Sequence, residues 1–229
     1  SLRVFEAARR VVLNLLDDAV FRFYVSETDI SHFLAAALLH DIGHYPLAHL
    51  VDELAVGDDG IPSIKTDSEM VQYFLQLDEF DGKEPLHTLL RRSGIDPDTI
   101  VKLVSPANED ADEPLTSAQL LLKSLIDGPL DIDKIAYLKQ DSEMTSVNYG
   151  QGIDLEGFFI SLVVLEPERD ELPLRIGIKD RGISAAESIL TARYHMYERV
   201  YWHRTNRSIM AMLSYALRIL FEGSQAITF

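Results

Sequence analysis

The chain reads as a mostly α-helical protein with one small β-hairpin late in the sequence. Three observations predict that class. Apolar residues recur with the helical period through most of the first 140 residues. Two short apolar runs joined by a charged turn then lie between residues 158 and 178. After Gly182 the helical period returns and holds to about residue 221. No internal repeat or low-complexity tract interrupts this order. One domain is therefore expected over 1–229, with a core of about 1–150 and the hairpin and C-terminal helices in about 151–229.

The elements follow in order. Val4, Phe5, Ala8, Val11, Val12, Leu15 and Leu16 share one face of a helix that runs from Leu2 to Leu16 and ends at Asp17-Asp18. Residues Ser26 to Asp29 supply caps for a second helix, with Ile30, Phe33, Leu34, Ala37 and Leu38 on its buried face and His40-Asp41 at its end. His32, two turns earlier on that helix, reads as a structural histidine. Beyond Pro46, Leu47 to Leu54 predict a short helix, and Gly57 to Pro62 a loop by its turn chemistry. Helices are expected at Asp67–Leu77, Pro85–Ser93 and Asp96–Val104, the last opened by the capping pattern Asp96-Pro97-Asp98. A polar, acidic linker from Ser105 to Pro114 follows. Helices at Ser117–Ile126 and Asp131–Gln140 then flank Gly128-Pro129. Phe158–Leu165 and Leu172–Ile178 predict the two strands. A long helix from Gly182 to about Thr205 and another from Asn206 to Phe221 complete the chain, with Trp202 expected in the core.

Composition narrows the function classes. With 229 residues, 47% hydrophobic and 25% charged, the chain can bury a sizeable core. It has no cysteine, which excludes disulfides and thiolate metal sites, so any metal must be held by His, Asp or Glu. No apolar run approaches the ~18 residues of a membrane span, and the N-terminus has no signal-peptide pattern. A cytoplasmic protein with no membrane partner is expected. The net charge of −16 disfavours nucleic acid as the main partner, because such binding rests on neutralised phosphates. From Arg181 to Arg218, however, six arginines and two glutamates leave +4, so the remainder carries −20. A confined anion site and ordinary pairing with acidic neighbours both fit that asymmetry.

Two segments carry chemistry. In the first, His40-Asp41-Ile42-Gly43-His44-Tyr45-Pro46-Leu47-Ala48-His49, a helix runs into a His-Asp pair and is broken by glycine and proline. Three of the seven histidines fall in these ten residues. Neighbouring residues on a helix point ~100° apart, so His40 and Asp41 can share an ion only where it sits against the backbone at the corner. An imidazole beside a carboxylate suits a divalent metal of borderline or hard character. In the second, Asp133, Tyr137 and Asp141 are spaced four apart on one helix face, with Lys134 beside them. That face offers a carboxylate for a metal, a cation for phosphate, a phenol and a second carboxylate. An exposed face with ordinary i,i+4 pairs has the same spacing.

Together these segments resemble the HD-domain phosphohydrolases, and within them the deoxynucleoside triphosphate triphosphohydrolase branch. The resemblance rests on His40 to His49, on Asp131-Ile132-Asp133-Lys134 with Tyr137 and Asp141, and on Lys179-Asp180 followed by Leu190 to His203. It implies an HD-type helical fold and a divalent metal (Mn, Mg, Fe, Ni or Zn) held by His40, Asp41 and Asp133. A fourth ligand, a first-helix histidine, is expected immediately before Ser1, because the family's first helix often begins His-Ser-Leu. His44 and His49 would line the phosphate end, and Lys134 and Arg193 would contact phosphates. Tyr137 and Tyr201 would pack on the sugar, and Asp141 would bind its 3′-hydroxyl. Asp52 matches an acid that orients a catalytic histidine expected near Thr66-Asp67. The sequence has no histidine there, which leaves His49 or Asp52 as proton donor. Tyr197 stands where some relatives place a histidine. The implied activity is hydrolysis of a dNTP to deoxynucleoside and triphosphate by a homo-oligomer. Hydrolysis of another phosphate ester, such as a nucleoside monophosphate or a signalling nucleotide, and a non-catalytic nucleotide-binding regulatory module are the alternatives.

Overall fold

A computed structural model of the chain describes residues 1–46, 50–51, 67–78, 82–105, 115–166 and 173–223. Helix α1 (Leu2–Leu15) buries Val4, Ala7, Ala8, Val11, Val12 and Leu15 on the single stripe its period requires. A short helix that the period does not reveal, α2 (Ala19–Tyr24), follows. Its cap Asp18 accepts from the backbone of Val20 and Phe21, while its other oxygen accepts from Val164 N at 2.9 Å. One carboxylate thus fixes α2 and the hairpin to the body.

Helix α3 (Glu27–Leu39) starts with a reciprocal Ser26/Asp29 capping box and buries His32, Phe33, Ala36 and Ala37. His32 Nε2 accepts from Asp96 N at 2.9 Å, the structural role expected of it. Helices α4 (Asp67–Gln76), α5 (Leu86–Arg92) and α6 (Pro97–Val104) pack Val71, Leu75, Leu90, Ile100 and Leu103 against Ala36 as a smaller second cluster. Helix α7 (Ser117–Ile126) is tied to α6 by the buried Lys123. Its ammonium donates to the carbonyls of Lys102, Leu103 and Ser105, satisfying acceptors that the end of α6 leaves open.

Helix α8 (Ile132–Met144), capped by Asp131, runs one turn past its expected end. The main core joins α1, α3, α7 and α8 to the hairpin and to α10 (Ile183–Met196). The hairpin is shorter than expected. Phe158 and Phe159 close a helix, α9 (Leu155–Phe159), because Asp154 caps it by accepting from Gly157 N at 2.9 Å. The cap overrides the strand preference of the aromatic pair. Strand β1 (Leu162–Leu165) pairs antiparallel with β2 (Arg175–Ile178), Leu162 opposite Ile178. Gly182 joins the hairpin to α10 in close packing: a Cβ there would fall 1.9 Å from Ser161 Oγ.

The expected helix from Gly182 to Thr205 is not continuous. After Met196 the chain makes one π-turn, Tyr197–Tyr201, closed by Trp202 N–H on Tyr197 O at 2.9 Å, and breaks before α11 (Arg204–Gly223). Helix α11 packs mainly against that turn, with Ile209, Met212, Ile219 and Leu220 exposed. No described helix is long and apolar enough to cross a membrane.

Candidate metal centre and adjoining cavity

His40 sits at the C-cap of α3 with its Nδ1 2.9 Å from Ala37 O. A proton on Nδ1 makes this a hydrogen bond and orients the ring, as histidine ligands of metals are commonly oriented by their other nitrogen. The Nε2 atom is left facing Asp41 Oδ1 at 2.9 Å and Asp133 Oδ1 at 3.4 Å. It lies within ion-pair distance of both carboxylates, yet it is buried and makes no hydrogen bond of good geometry. Two tight turns, Ile42 N to Leu39 O and His44 N to Asp41 O, shape the corner and bring His44 Nε2 to 3.2 Å from Asp41 Oδ1.

Asp133 arrives from the first turn of α8. The cap that holds that turn is the buried Asp131, which accepts from Lys134 N at 2.7 Å and from the Lys134 ammonium. Lys134 Nζ also donates to Gly128 O at 3.1 Å. Burial pushes the Asp131 carboxyl above its usual value, against the opposing pull of Lys134.

The ligand atoms of His40, Asp41 and Asp133 lie within 4.8 Å of one another. A lone pair and two carboxylate oxygens converging in a partly buried corner repel unless a positive charge sits among them. Burial alone would lower the His40 pKa, but the adjacent carboxylates of Asp133 and Asp41 outweigh it and raise it to about 10. Burial likewise works to raise the Asp41 carboxyl, which His40 and His44 nevertheless hold well below the carboxylate range. A divalent cation would satisfy the same three atoms, and the donor set of one imidazole and two carboxylates fits such an ion.

Asp133 also begins one wall of a cavity of about 1050 Å³. Lys134, Tyr137 and Asp141 continue that wall along α8, and Arg193, Tyr197 and Tyr201 face them. The Arg193 guanidinium lies 5.2 Å over the Tyr197 ring and interacts with the phenols of Tyr137 and Tyr197, with its Nε buried and unbonded. No carboxylate pairs with it among the described residues. Burial and the neighbouring Tyr197 push the Tyr137 phenol up to about 12, against the pull of Arg193. Tyr201 donates its hydroxyl to Asp141 Oδ2 at 2.7 Å, and burial together with that carboxylate raises its pKa well above the phenol range.

The chain thus brings His40, Asp41 and Asp133 to one point, sets His44 against Asp41, and gathers Lys134, Tyr137, Asp141, Arg193 and Tyr201 around one cavity. His49, Asp52 and Thr66 lie outside the described residues. Several lining residues had no role on sequence grounds, Tyr197 and Trp202 among them. Tyr197, which grips Arg193, is four residues beyond it, so helical spacing was an available signal. Trp202, expected in the core, is instead 66% exposed and lines the cavity.

The fold has counterparts among known proteins. A phosphohydrolase from Bacteroides thetaiotaomicron matches in structure with a TM-score of 0.64 at 22% identity, over 100% of this chain and 48% of its own. The fold is the HD-domain helical fold. A hypothetical protein from Aquifex aeolicus shares this HD fold with a TM-score of 0.73 at 22% identity, over 97% of this chain and 51% of its own. Residues 171–228, a range that includes β2, α10 and α11, match the HD-associated region. In sequence, the chain is 30% identical to the uncharacterized protein YwfO of Bacillus subtilis over 237 residues, 98% of this chain and 44% of that protein. It is also 30% identical to the uncharacterized protein MJ1154 of Methanocaldococcus jannaschii over 191 residues, 82% of this chain and 34% of that protein. The chain therefore spans less than half the length of these two relatives. In this HD fold the His-Asp corner at the end of α3 and Asp133 on α8 come from elements that share the main core.

Proposed function

We propose that the chain is a metal-dependent phosphohydrolase of deoxynucleoside triphosphates, releasing deoxynucleoside and triphosphate. The observation that carries this reading is the buried, unbonded His40 Nε2 facing Asp41 and Asp133, at the head of a helix face that continues as Lys134, Tyr137 and Asp141. A divalent ion at that corner supplies a Lewis acid and a bound water of lowered pKa.

The chain's own residues do the rest. Arg193, held by two phenols and no acid, keeps its charge and remaining N–H donors for phosphate oxygens, a strongly favourable pairing inside a cavity. Lys134 adds a second cation on the same side, held in place by Asp131 and Gly128. Asp141 is oriented by Tyr201 through one oxygen and offers the other to a sugar hydroxyl. Tyr137 and Tyr201, ring centroids 6.1 Å apart, form an apolar wall for the sugar ring between these ends. Hydrolysis adds water across the bond between the α-phosphorus and the 5′ oxygen. The phosphorus gains the water oxygen, and the sugar oxygen leaves as a hydroxyl.

The test is the purified chain with Mn²⁺ and each of the four dNTPs, assayed for tripolyphosphate. Release that disappears in Asp133→Ala is expected. No tripolyphosphate from any dNTP would sink the reading. Asp133-dependent hydrolysis of a different phosphate ester would move it to that substrate.

A further inference from the structure

We infer that Trp202 is the base-recognition element of this cavity, taking the nucleobase by stacking rather than by reading its edge. The inference deepens the proposed function and rests on a nucleotide occupying the cavity. Three observations carry it.

The first is the polarity of the cavity along α8. Asp133 and Asp141 are eight residues apart, so the face between them is ~12 Å long. Its Asp133 end holds Lys134, Arg193 interacts with Tyr137 midway along it, and its Asp141 end holds the Tyr201 pair that suits a sugar hydroxyl. A nucleotide laid phosphate-first along this face carries its base past Tyr201. The next residue in the chain is Trp202, which lines the same cavity, as do Met210 and Ala211 of α11.

The second is the exposure of the indole. Trp202 meets the Tyr197 ring at 82° with centroids 5.7 Å apart, while 66% of the residue stays open where it lines the cavity. A large aromatic left this open forfeits most of the burial it could gain, whereas a flat, apolar base would supply it.

The third is that the backbone carrying the indole is fixed. The Trp202 backbone N–H closes the π-turn on Tyr197 O at 2.9 Å, and Asn206 Nδ2 donates to Tyr201 O at 3.1 Å across the break. Single π-turns recur at functional sites, where they redirect a side chain. Stacking is tolerant of sequence because every base has a π-face. All four bases should therefore be accepted, purines more tightly than pyrimidines because their rings overlap the indole more.

Trp202 is the only tryptophan in the chain, so its fluorescence reports this position alone. Wild-type protein in EDTA is titrated with each dNTP, with each deoxynucleoside and with inorganic tripolyphosphate. Saturable quenching by the base-bearing ligands, strongest with purines, and none by tripolyphosphate is expected. Equal responses to dNTP and tripolyphosphate, or no response to either, would overturn the inference. In turnover with Mn²⁺, Trp202→Ala should raise KM for every dNTP by about 10-fold or more with kcat little changed. Trp202→Phe should recover part of that loss. Unchanged KM values in Trp202→Ala would remove the base-stacking role while leaving the proposed hydrolysis intact. Wild-type protein that hydrolyses no dNTP would instead remove the hydrolysis, and the fluorescence titration would still decide the stacking.

Discussion

The two ends of the cavity are built in opposite ways. At one end, His40 and Asp133 stand on helices whose neighbouring residues, Ala36, Ala37, Ile132, Ile135 and Ala136, are all buried. Every backbone corner there is capped or closed by a turn. At the other end, Tyr201 and Trp202 lie where α10 unwinds through a π-turn, and α11 beyond it packs on little else. Three charged or polar atoms can be held together at one point only by a rigid frame, because each would otherwise turn away to water. A stacking surface has no such requirement and tolerates a lightly packed arm. On the proposed reading, chemistry would sit on the core of the fold and recognition on its periphery.

Changes at the two ends should differ in kind. The largest effect below the metal ligands is expected for Arg193→Ala, which removes a cavity cation that, among the described residues, has phenols and no carboxylate beside it. It should lower kcat/KM by about 10²–10³-fold, and Arg193→Lys should recover little, because one ammonium cannot keep both phenol contacts and the phosphate. A smaller loss than Asp141→Asn causes would reverse the assignment of the two ends.

A tenfold effect per pH unit is expected at the rigid end. The folded pKa of His40 without metal is raised to about 10, so at neutral pH the ring is protonated and a metal must displace that proton. Mn²⁺ affinity should rise by about tenfold per unit as pH increases towards 10 and level off above it. Calorimetry in buffers of different ionisation enthalpy should show about one proton released at pH 7. Affinity that is flat with pH would mean that the ion binds elsewhere.

At the sugar end, Tyr201→Phe removes the hydroxyl that Asp141 Oδ2 accepts. Loss of a hydrogen bond to a charged group is worth ~1.5–3 kcal/mol, part of which water at this open end restores. KM should rise by a few-fold to about tenfold with metal binding unchanged. A change in metal content would show that the two ends are coupled.

The smallest functional effect, with a clear effect on stability, is expected in the body. Asp18→Ala removes the cap of α2 and its bond to Val164, and should cost ~1–2 kcal/mol of stability with activity retained. Burial works to raise the Asp18 carboxyl, but the N–H groups of Val164, Val20 and Phe21 bring it below its usual value. Its contribution is present above the ordinary carboxylate pKa of ~4 and is lost as pH falls below it, so variant and wild type should converge in acid.

The difference between the ends also governed what could be read from residues alone. Helices α1, α3, α7 and α8 were legible because burial on one side writes a period, and caps such as Ser26/Asp29 and Asp131 mark where they begin. Helix α2 is too short to show a period, and α9 hid behind the strand preference of Phe158 and Phe159. The His40-Asp41 pair was visible, but its closure by Asp133, some ninety residues on, came from the resemblance to known hydrolases, since no local pattern links two helices so far apart. The π-turn left no trace, because Arg193, Tyr197 and Tyr201 keep ordinary i,i+4 spacing through it. Trp202 was placed in the core for a general reason: large aromatics are usually covered, and only the fold shows which one is not.

The most direct test of the His40–Asp41–Asp133 corner is metal content after dialysis against Mn²⁺, measured by elemental analysis on wild type and Asp133→Ala with folding checked by circular dichroism. About one tightly held ion per wild-type chain is expected, with background levels in the equally folded variant. Equal metal in both proteins, or none in either, would contradict it.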